Sequence, residues 1–150
     1  IKKKIENILE DNEETIETLY SNHIVNITLT NRGKLIHWSG IDNFIMDDSH
    51  LLLDDKNLYK ELSDDEYITQ IKGSKRYFVG LTNKQKIYCW TYDSEVETIT
   101  IPTQKHIMNQ KGEKQLISQL SVGFDHSIVL TTNGELYSWG ENKKGQCGTG

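Results

Sequence analysis

The sequence contains little of what several classes of protein require. It has one proline and two cysteines in 150 residues, and Cys89 and Cys147 lie too far apart for a metal-binding pair. A disulfide framework is therefore not expected. We expect a reducing, intracellular location in the cytoplasm or nucleus. No apolar run approaches the roughly 20 residues of a membrane-spanning helix. Phosphate-loop, hydrolase and zinc-protease motifs are missing too, so we expect no enzyme, cofactor or metal site.

What the sequence does contain is a repeat. Three segments align over 23 positions without a gap, and the only three tryptophans all fall on its last position, 52 and 49 residues apart. A period of this length is typical of solenoids, propellers and arrays. The equivalent residues are Ile16, Leu19, Leu29, Thr30, Leu35 and Trp38; Ile68, Ile71, Leu81, Thr82, Ile87 and Trp90; Ile117, Leu120, Leu130, Thr131, Leu136 and Trp139.

Each repeat predicts two short strands joined by a tight turn. In the third repeat, residues 127–130 and 136–139 flank an Asn-Gly turn, which is the strongest short signal for a hairpin. The second repeat has Gln85 in place of that glycine, so we expect a strained turn there. Leu35 and Trp38 are three residues apart and point to opposite faces of their strand, which predicts strands that are covered on both sides.

The third repeat also carries a longer pattern, GxxHSxxLTxxGxLYxWGxNxxGQxGxG, from Gly123 to Gly150. This pattern resembles the repeat of the regulator of chromosome condensation family. The resemblance implies an all-β fold, a propeller of about seven four-stranded blades, of which this chain would supply roughly three antiparallel ones. It weakens towards the N-terminus, because the histidine position holds Tyr77 in the second repeat and Val25 in the first.

Two other propeller families fit less well. WD repeats carry Trp-Asp and kelch repeats carry a glycine doublet, and neither dipeptide occurs here. We therefore assign residues 1–150 to part of one propeller domain, with repeat cores at 16–40, 68–92 and 117–150 and an acidic insertion at 41–66. Three blades cannot close such a ring, so we expect a piece of a longer protein whose end blades expose an apolar face.

The acidic insertion is the main candidate site. It holds nine acidic residues and two lysines, a charge of −7, whereas the whole chain carries −5. It is either a docking surface for a basic protein partner, with Asp47, Asp48, Asp54 and Asp55 as partner-binding residues, or a divergent outer strand with a solvated loop. Its acidic pairs lack the alternating spacing and the glycine of a calcium-binding loop.

Three further segments have structural interpretations. The tryptophans are expected to pack between blades, Cys89 is expected to be a small core residue, and His126 is expected to serve the fold rather than catalysis. An outer strand is predicted over Val96–Pro102, where proline should end it. Gln104–Lys114 is predicted to be a surface loop.

Two functions follow from the resemblance. The first is a non-enzymatic protein-interaction propeller, an adaptor or regulatory scaffold, with a ubiquitin-ligase component among the possible partners. The alternative is a guanine-nucleotide exchange factor for a Ran-like small GTPase, which accelerates exchange by binding the nucleotide-free GTPase more tightly than the loaded one. A chromatin-bound exchanger should carry a basic face, and the sequence pI near 5.5 favours the first function. No direct nucleic-acid partner and no membrane are expected.

Overall fold

The computed structural model describes residues 13–21, 25–32, 35–39, 51–52, 62–74, 77–93, 98–99 and 103–149. Every regular element within these ranges is a β-strand. In chain order they are β1 (Ile16–Ser21), β2 (Val25–Thr30), β3 (Leu35–Ser39), β4 (Leu51–Leu52), β5 (Ile68–Gly73), β6 (Tyr77–Thr82), β7 (Ile87–Asp93), β8 (Thr98–Ile99), β9 (Thr103–Lys105), β10 (Ile117–Val122), β11 (His126–Thr131) and β12 (Leu136–Gly140).

The strands form three antiparallel sheets, one for each repeat. The first sheet has the order β1-β2-β3-β4, and the third has the order β10-β11-β12. In the second sheet, β5-β6-β7 are joined at the outer edge of β7 by β8 and β9, which pair with different parts of that strand. The prediction of an all-β chain with about three antiparallel blades is confirmed.

The three sheets share one register. The first pair in each sheet joins the opening isoleucine to the threonine of the repeat, as in Ile68 with Thr82, and a β-bulge follows at once. The bulged residue is Thr69 in the second sheet, and its hydroxyl donates to Leu81 O at 3.1 Å. The repeat therefore contains a first strand that the predicted two-stranded hairpin did not include.

The bulge decides which residues reach the core. Ile68 and Ile71 are three residues apart, a spacing that would place them on opposite faces of a regular strand. The bulge between Ile68 and Gln70 shifts the alternation by one residue, and both isoleucines become buried in the same cluster.

Two apolar clusters make up the core of the part of the chain that the structure describes, one on each side of the second sheet. The first cluster lies between the first and second sheets and contains Ile27, Leu29, Leu35, Ile68, Ile71, Phe78, Tyr88 and Trp90. The second lies between the second and third sheets and contains Val79, Leu81, Ile87, Ile107, Ile117, Leu120 and Val129. Along β7, Ile87 enters the second cluster while Tyr88 and Trp90 enter the first, so the prediction of two-sided coverage is confirmed for this strand.

The tryptophans pack between sheets, as predicted, where their side chains are described. Trp90 is buried and stacks on Phe78 with ring centroids 6.1 Å apart. Gly80 makes room for it, since a Cβ at that position would come within 2.9 Å of the indole. Trp139 is half-buried against the second cluster, and the side chain of Trp38 lies outside the described part of the chain.

The turns follow the sequence. Gly134 has φ 84°, and Gln85 at the same position of the second repeat has φ 60°. Gln85 is the only non-glycine residue with positive φ in the described ranges, so the predicted strain is confirmed. The Gln85 carbonyl also accepts a hydrogen bond of 2.8 Å from Ile117 N, which ties the second sheet to the third.

The segment before the third repeat differs from its prediction. The outer strand predicted over Val96–Pro102 is present at Thr98–Ile99, and pairing resumes after the proline in β9. The surface loop predicted over Gln104–Lys114 is wrong at its start, because Gln104 and Lys105 pair with β7. Ile107 is then buried in the second cluster, among apolar residues of the second and third sheets.

Candidate interaction site at the acidic segment

The predicted docking residues Asp47, Asp48, Asp54 and Asp55 lie outside the described residues. The structure describes the last part of the acidic insertion, residues 62–66, where it enters the second sheet. Asp64 and Asp65 are exposed there, whereas Glu66 is buried. The acidic residues of this segment therefore do two different things, and only the exposed ones can contact a partner.

Glu66 is an anchor. Its carboxylate accepts hydrogen bonds from Thr82 Oγ1 at 2.8 Å and from Lys86 Nζ at 2.8 Å. Burial alone would raise the pKa of Glu66, but the hydrogen bonds from Lys86 and Thr82 together outweigh it and lower the pKa below its ordinary value. The charged form is therefore the stable form, and it fixes the end of the acidic segment against β6.

Asn83 and Lys84 hold the neighbouring backbone. The Asn83 side chain accepts from Tyr67 N and donates to Asp65 O, both at 3.0 Å, as a strand backbone would. Lys84 forms an ion pair with the exposed Asp65 and donates to Ser63 Oγ at 3.0 Å. The hydrogen bond from Lys84 lowers the pKa of Asp65, which stays charged at the surface.

The same acid–threonine–asparagine cluster occurs in the first repeat. Thr30 Oγ1 donates to Glu14 Oε1 at 2.9 Å, and Asn31 pairs with Thr15 N and Glu13 O, both at 3.0 Å. The sequence analysis missed this cluster, although the signal was present: a glutamate stands two residues before the opening isoleucine in both repeats. In the third repeat, Gln115 stands in place of the glutamate and Thr132 in place of the asparagine, so this repeat lacks the buried carboxylate.

A second polar cluster lies between the second and third sheets. Trp139 Nε1 donates to Tyr77 Oη at 2.7 Å, and Tyr77 Oη donates to Cys89 Sγ at 3.3 Å. Desolvation, reinforced by Cys89, raises the pKa of Tyr77 to about 12. Desolvation likewise raises the pKa of the Cys89 thiol, and the Lys105 ammonium lies 5.1 Å from the centroid of the Trp139 ring. Both groups are therefore protonated at neutral pH, and the hydrogen bond from Trp139 to Tyr77 links the third sheet to the second.

His126 lies against backbone. A Cβ added at Gly123 would come within 2.2 Å of the imidazole, and Gly123 N donates to His126 O at 2.8 Å. The imidazole of His126 therefore leaves room only for a glycine at position 123. Among the described residues, no three His, Cys, Asp or Glu side chains are placed to hold a metal ion.

Other proteins resemble this chain in sequence. Residues 117–146 match the family model for the "Regulator of chromosome condensation (RCC1) repeat". The Ultraviolet-B receptor UVR8 of Arabidopsis thaliana is 24% identical over 139 residues, which cover 91% of this chain and 29% of the receptor. The Probable E3 ubiquitin-protein ligase HERC4 of Rattus norvegicus is 31% identical over 93 residues, 59% of this chain and 9% of the ligase. The chain thus spans under a third of these relatives.

The fold also matches solved structures. Prp20p from Saccharomyces cerevisiae, described with its binding to Gsp1p and histones, superposes with a TM-score of 0.66 at 17% identity. The match covers 90% of this chain and 34% of Prp20p. At this level of identity the likeness establishes the fold, which is that of the RCC1-type β-propeller. No helix in the described ranges is long and apolar enough to cross a membrane.

Proposed function

Because the chain is a divergent member of the regulator of chromosome condensation repeat family, we propose that it is a non-enzymatic protein-interaction propeller that serves as an adaptor or regulatory scaffold. Residues 1–150 would form part of one propeller domain in the cytoplasm or nucleus. The repeats supply packing, and the acidic insertion at 41–66 supplies the contact with a basic protein partner. The similarity to HERC4 makes a ubiquitin-ligase component one candidate partner.

The observation that carries this proposal is the contrast between the two kinds of acidic residue at the entry to the second sheet. Glu66 is buried and neutralised by Lys86, whereas Asp64 and Asp65, the two central residues of the turn closed by Glu66 N and Ser63 O, remain at the surface. An anchored end lets the rest of a −7 segment stay charged without being drawn into the core. Such a local field attracts basic partners and speeds their encounter at low ionic strength.

The test neutralises the predicted docking residues. A variant with Asp47→Asn, Asp48→Asn, Asp54→Asn and Asp55→Asn should bind purified histones about tenfold more weakly than the wild-type chain in 50 mM salt, since each lost long-range attraction is worth a few tenths of a kcal/mol. Histones are used because they are basic and because Prp20p, a structural neighbour, is described as binding them. Fluorescence anisotropy at several salt concentrations measures the loss.

The control removes the same charge elsewhere. Four acidic residues of the third repeat and the segment before it are changed to their amides: Glu113, Asp125, Glu135 and Glu141. This control should keep most of the binding, because those residues lie outside the insertion. An equal loss of histone affinity in both variants would mean that net charge alone governs binding. Unchanged histone binding by the insertion variant would show that the acidic insertion is not the docking surface.

A second function has one observation in its favour. Prp20p, which shares the fold, is described as binding Gsp1p, and the alternative is therefore a guanine-nucleotide exchange factor for a Ran-like small GTPase. Release of a fluorescent guanine nucleotide from Gsp1p measures this directly. Faster release with the wild-type chain, but not with buffer or heat-unfolded chain, would support exchange activity. An unchanged release rate at micromolar protein would exclude exchange activity and leave the scaffold as the one proposed function.

A further inference from the structure

The turn between β11 and β12 carries the chain's one Asn-Gly dipeptide, Asn133-Gly134. The other two repeats have Arg32 and Lys84 at the position of Asn133. Asparagine is chemically labile, because its side-chain carbonyl carbon can be attacked by the backbone nitrogen of the next residue, which is held close by the chain itself. Glycine favours that attack, since no Cβ stands beside the nitrogen. The sequence therefore places one reactive pair in the chain.

Both residues of the pair are exposed. A Cβ built at Gly134, where φ is 84°, would meet nothing within 4 Å, so there is space for a ring to form at this position. The turn lies at the end of two strands and not on a face that packs against another sheet. In the second sheet, which is covered on both sides, Gln85 at the position of Gly134 is exposed as well. Water therefore reaches this turn whether or not a further sheet covers the third one.

The side chain of Asn133 is held more loosely than those of asparagines in other described turns. Its nitrogen donates to Gln115 Oε1 at 3.2 Å, and this is its one hydrogen bond within the described residues. In Asn109, by contrast, the side-chain oxygen accepts from two backbone N–H groups of its own turn, both at 2.9 Å. The side-chain oxygen of Asn142 accepts from Cys147 N at 2.8 Å. Those bonds fix two carbonyl groups in place, whereas the Asn133 carbonyl is free to turn towards the backbone.

One contact opposes the attack. Gly134 N donates to Thr131 O at 3.1 Å, and this hydrogen bond must open before the nitrogen can lose its proton. It is longer than the other backbone hydrogen bonds of the described turns and loops, which measure 2.7–3.0 Å. It also lies in an exposed turn, where such bonds open most readily. The fold should therefore slow the reaction relative to an unfolded peptide without preventing it.

We propose that Asn133 is a site of spontaneous deamidation, which changes the chain as it ages. The nitrogen of Gly134 gives its proton to hydroxide and bonds to Cγ of Asn133, while the bond from Cγ to the side-chain nitrogen breaks and ammonia leaves. Water then opens the five-membered succinimide at either of its two carbonyl carbons. Opening at Cγ gives aspartate, and opening at the backbone carbonyl gives isoaspartate, in which the chain runs through Cγ. One water is consumed and one ammonia released, and no oxidant or cofactor takes part.

Either product alters the turn. Aspartate at position 133 replaces the donor to Gln115 Oε1 with a carboxylate, in a turn that already holds Glu135. Isoaspartate also adds one carbon atom to the backbone, inside a turn that is closed by the hydrogen bond from Thr131 N to Glu135 O at 2.9 Å. The longer backbone no longer fits the register in which β11 and β12 pair. Ageing at this one residue should therefore loosen β12, most strongly through the isoaspartyl form.

The experiment ages the folded chain. Wild-type protein is kept at pH 6 and at pH 8, and peptide mass spectrometry follows the conversion of each side-chain amide to a carboxylate. Conversion should concentrate at Asn133, leave Asn109 and Asn142 intact, and run several-fold faster at pH 8, because the attacking nitrogen must first lose its proton. An Asn133 amide that survives in the folded chain while a peptide of residues 128–139 is converted would overturn the proposal, because the fold would then block the reaction.

A variant separates this residue from general ageing. Asn133→Gln keeps an amide at the turn but would have to form a six-membered ring, which closes far more slowly. Aged wild-type chain should melt at a lower temperature than fresh chain, whereas aged and fresh Asn133→Gln should melt alike. The matched control is Asn109→Gln in the neighbouring turn, which should lose as much on ageing as the wild-type chain does. An equal fall in melting temperature for aged wild type and aged Asn133→Gln would also overturn the proposal.

Discussion

The second and third repeats pair their strands in the same register, yet they differ in their turn, their charges and their burial. The third repeat matches the family pattern over residues 117–146, but Leu136 and Ile128 are open to solvent. The second has lost the glycine of its turn, and both of its faces are buried. A close match to the family pattern thus reflects the residues that the turns and the glycine contacts require. The burial of a repeat depends instead on how many neighbouring sheets it has.

The largest expected difference between the two repeats is at their tryptophans. Trp90→Ala should reduce the free energy of unfolding by about 3–5 kcal/mol, because a buried indole is replaced by a cavity beside Phe78 and Gly80. Trp139→Ala should cost roughly half as much, since that ring is only half-buried. Urea unfolding followed by circular dichroism measures both. Equal losses would contradict the view that the second sheet bears most of the packing.

The second-largest effect is expected at the hydrogen bond between Trp139 and Tyr77, which links the two repeats. Tyr77→Phe removes the acceptor of Trp139 Nε1 and the donor to Cys89 Sγ, and should cost about 1–3 kcal/mol because the indole N–H is left without a partner. Tyr20→Phe is the control, since its hydroxyl also bridges two sheets by donating to Ser74 O at 3.1 Å, a longer hydrogen bond to a backbone carbonyl. A smaller effect for Tyr77→Phe than for Tyr20→Phe would contradict this ranking.

The turns should respond in opposite directions. Gln85→Gly should stabilise the chain by about 0.5–1 kcal/mol, because glycine adopts positive φ without a Cβ clash. Gly134→Gln should destabilise it by about 1 kcal/mol for the same reason, with open space around the new side chain. Thermal unfolding of the two single variants and the double variant measures these changes in stability. Two shifts of the same sign would show that positive φ does not govern these turns.

The smallest expected effect is a difference in pH dependence. The pKa of Glu66 is lowered in the folded state, so its contribution is present above the ordinary pKa of about 4.3 and is lost as the pH falls through the folded pKa. Glu66→Gln should therefore be less stable than wild type at pH 7, and the gap should narrow as the pH falls below about 4.3. A gap that is constant between pH 7 and pH 3 would contradict the assignment.

The matched change in the third repeat is Gln115→Glu. The position equivalent to Lys86 is Glu135 there, so the new carboxylate would meet a like charge instead of a lysine. This variant should be less stable than wild type at neutral pH and should recover as the pH falls, which is the opposite slope to that of the Glu66 pair.

Much of the fold could be predicted because the repeat shows its own pattern. The hairpins, the strained turn at Gln85 and the two-sided cover of β7 all follow from local spacing. The first strand of each repeat could not be predicted in the same way. Ile68 and Ile71 reach one face only because a bulge lies between them, and strict alternation assigns them to opposite faces.

The candidate site was predicted less completely than the fold. Charge counting identified the acidic insertion but treated its acidic residues alike, whereas Glu66 is an internal anchor and Asp65 is exposed. Burial is set by what a side chain meets in space, here Thr82 and Lys86 on the two sides of the turn between β6 and β7, and no count of local charge contains that information. The docking residues Asp47, Asp48, Asp54 and Asp55 stay a prediction.

The bulge that follows the opening isoleucine has a consequence for how such a chain can change length. It sets the phase of the first strand, so one residue added between Ile68 and Trp90 would turn the apolar side chains beyond it towards the wrong neighbour. Residues added in an exposed turn between sheets, such as the one at Gly112, would lengthen a loop at a cost that grows slowly with loop length. Insertions and deletions should therefore be tolerated between sheets and should prevent folding within them. The three repeats agree with this, because their 23-residue units align without a gap while the tryptophan spacing varies from 52 to 49 residues.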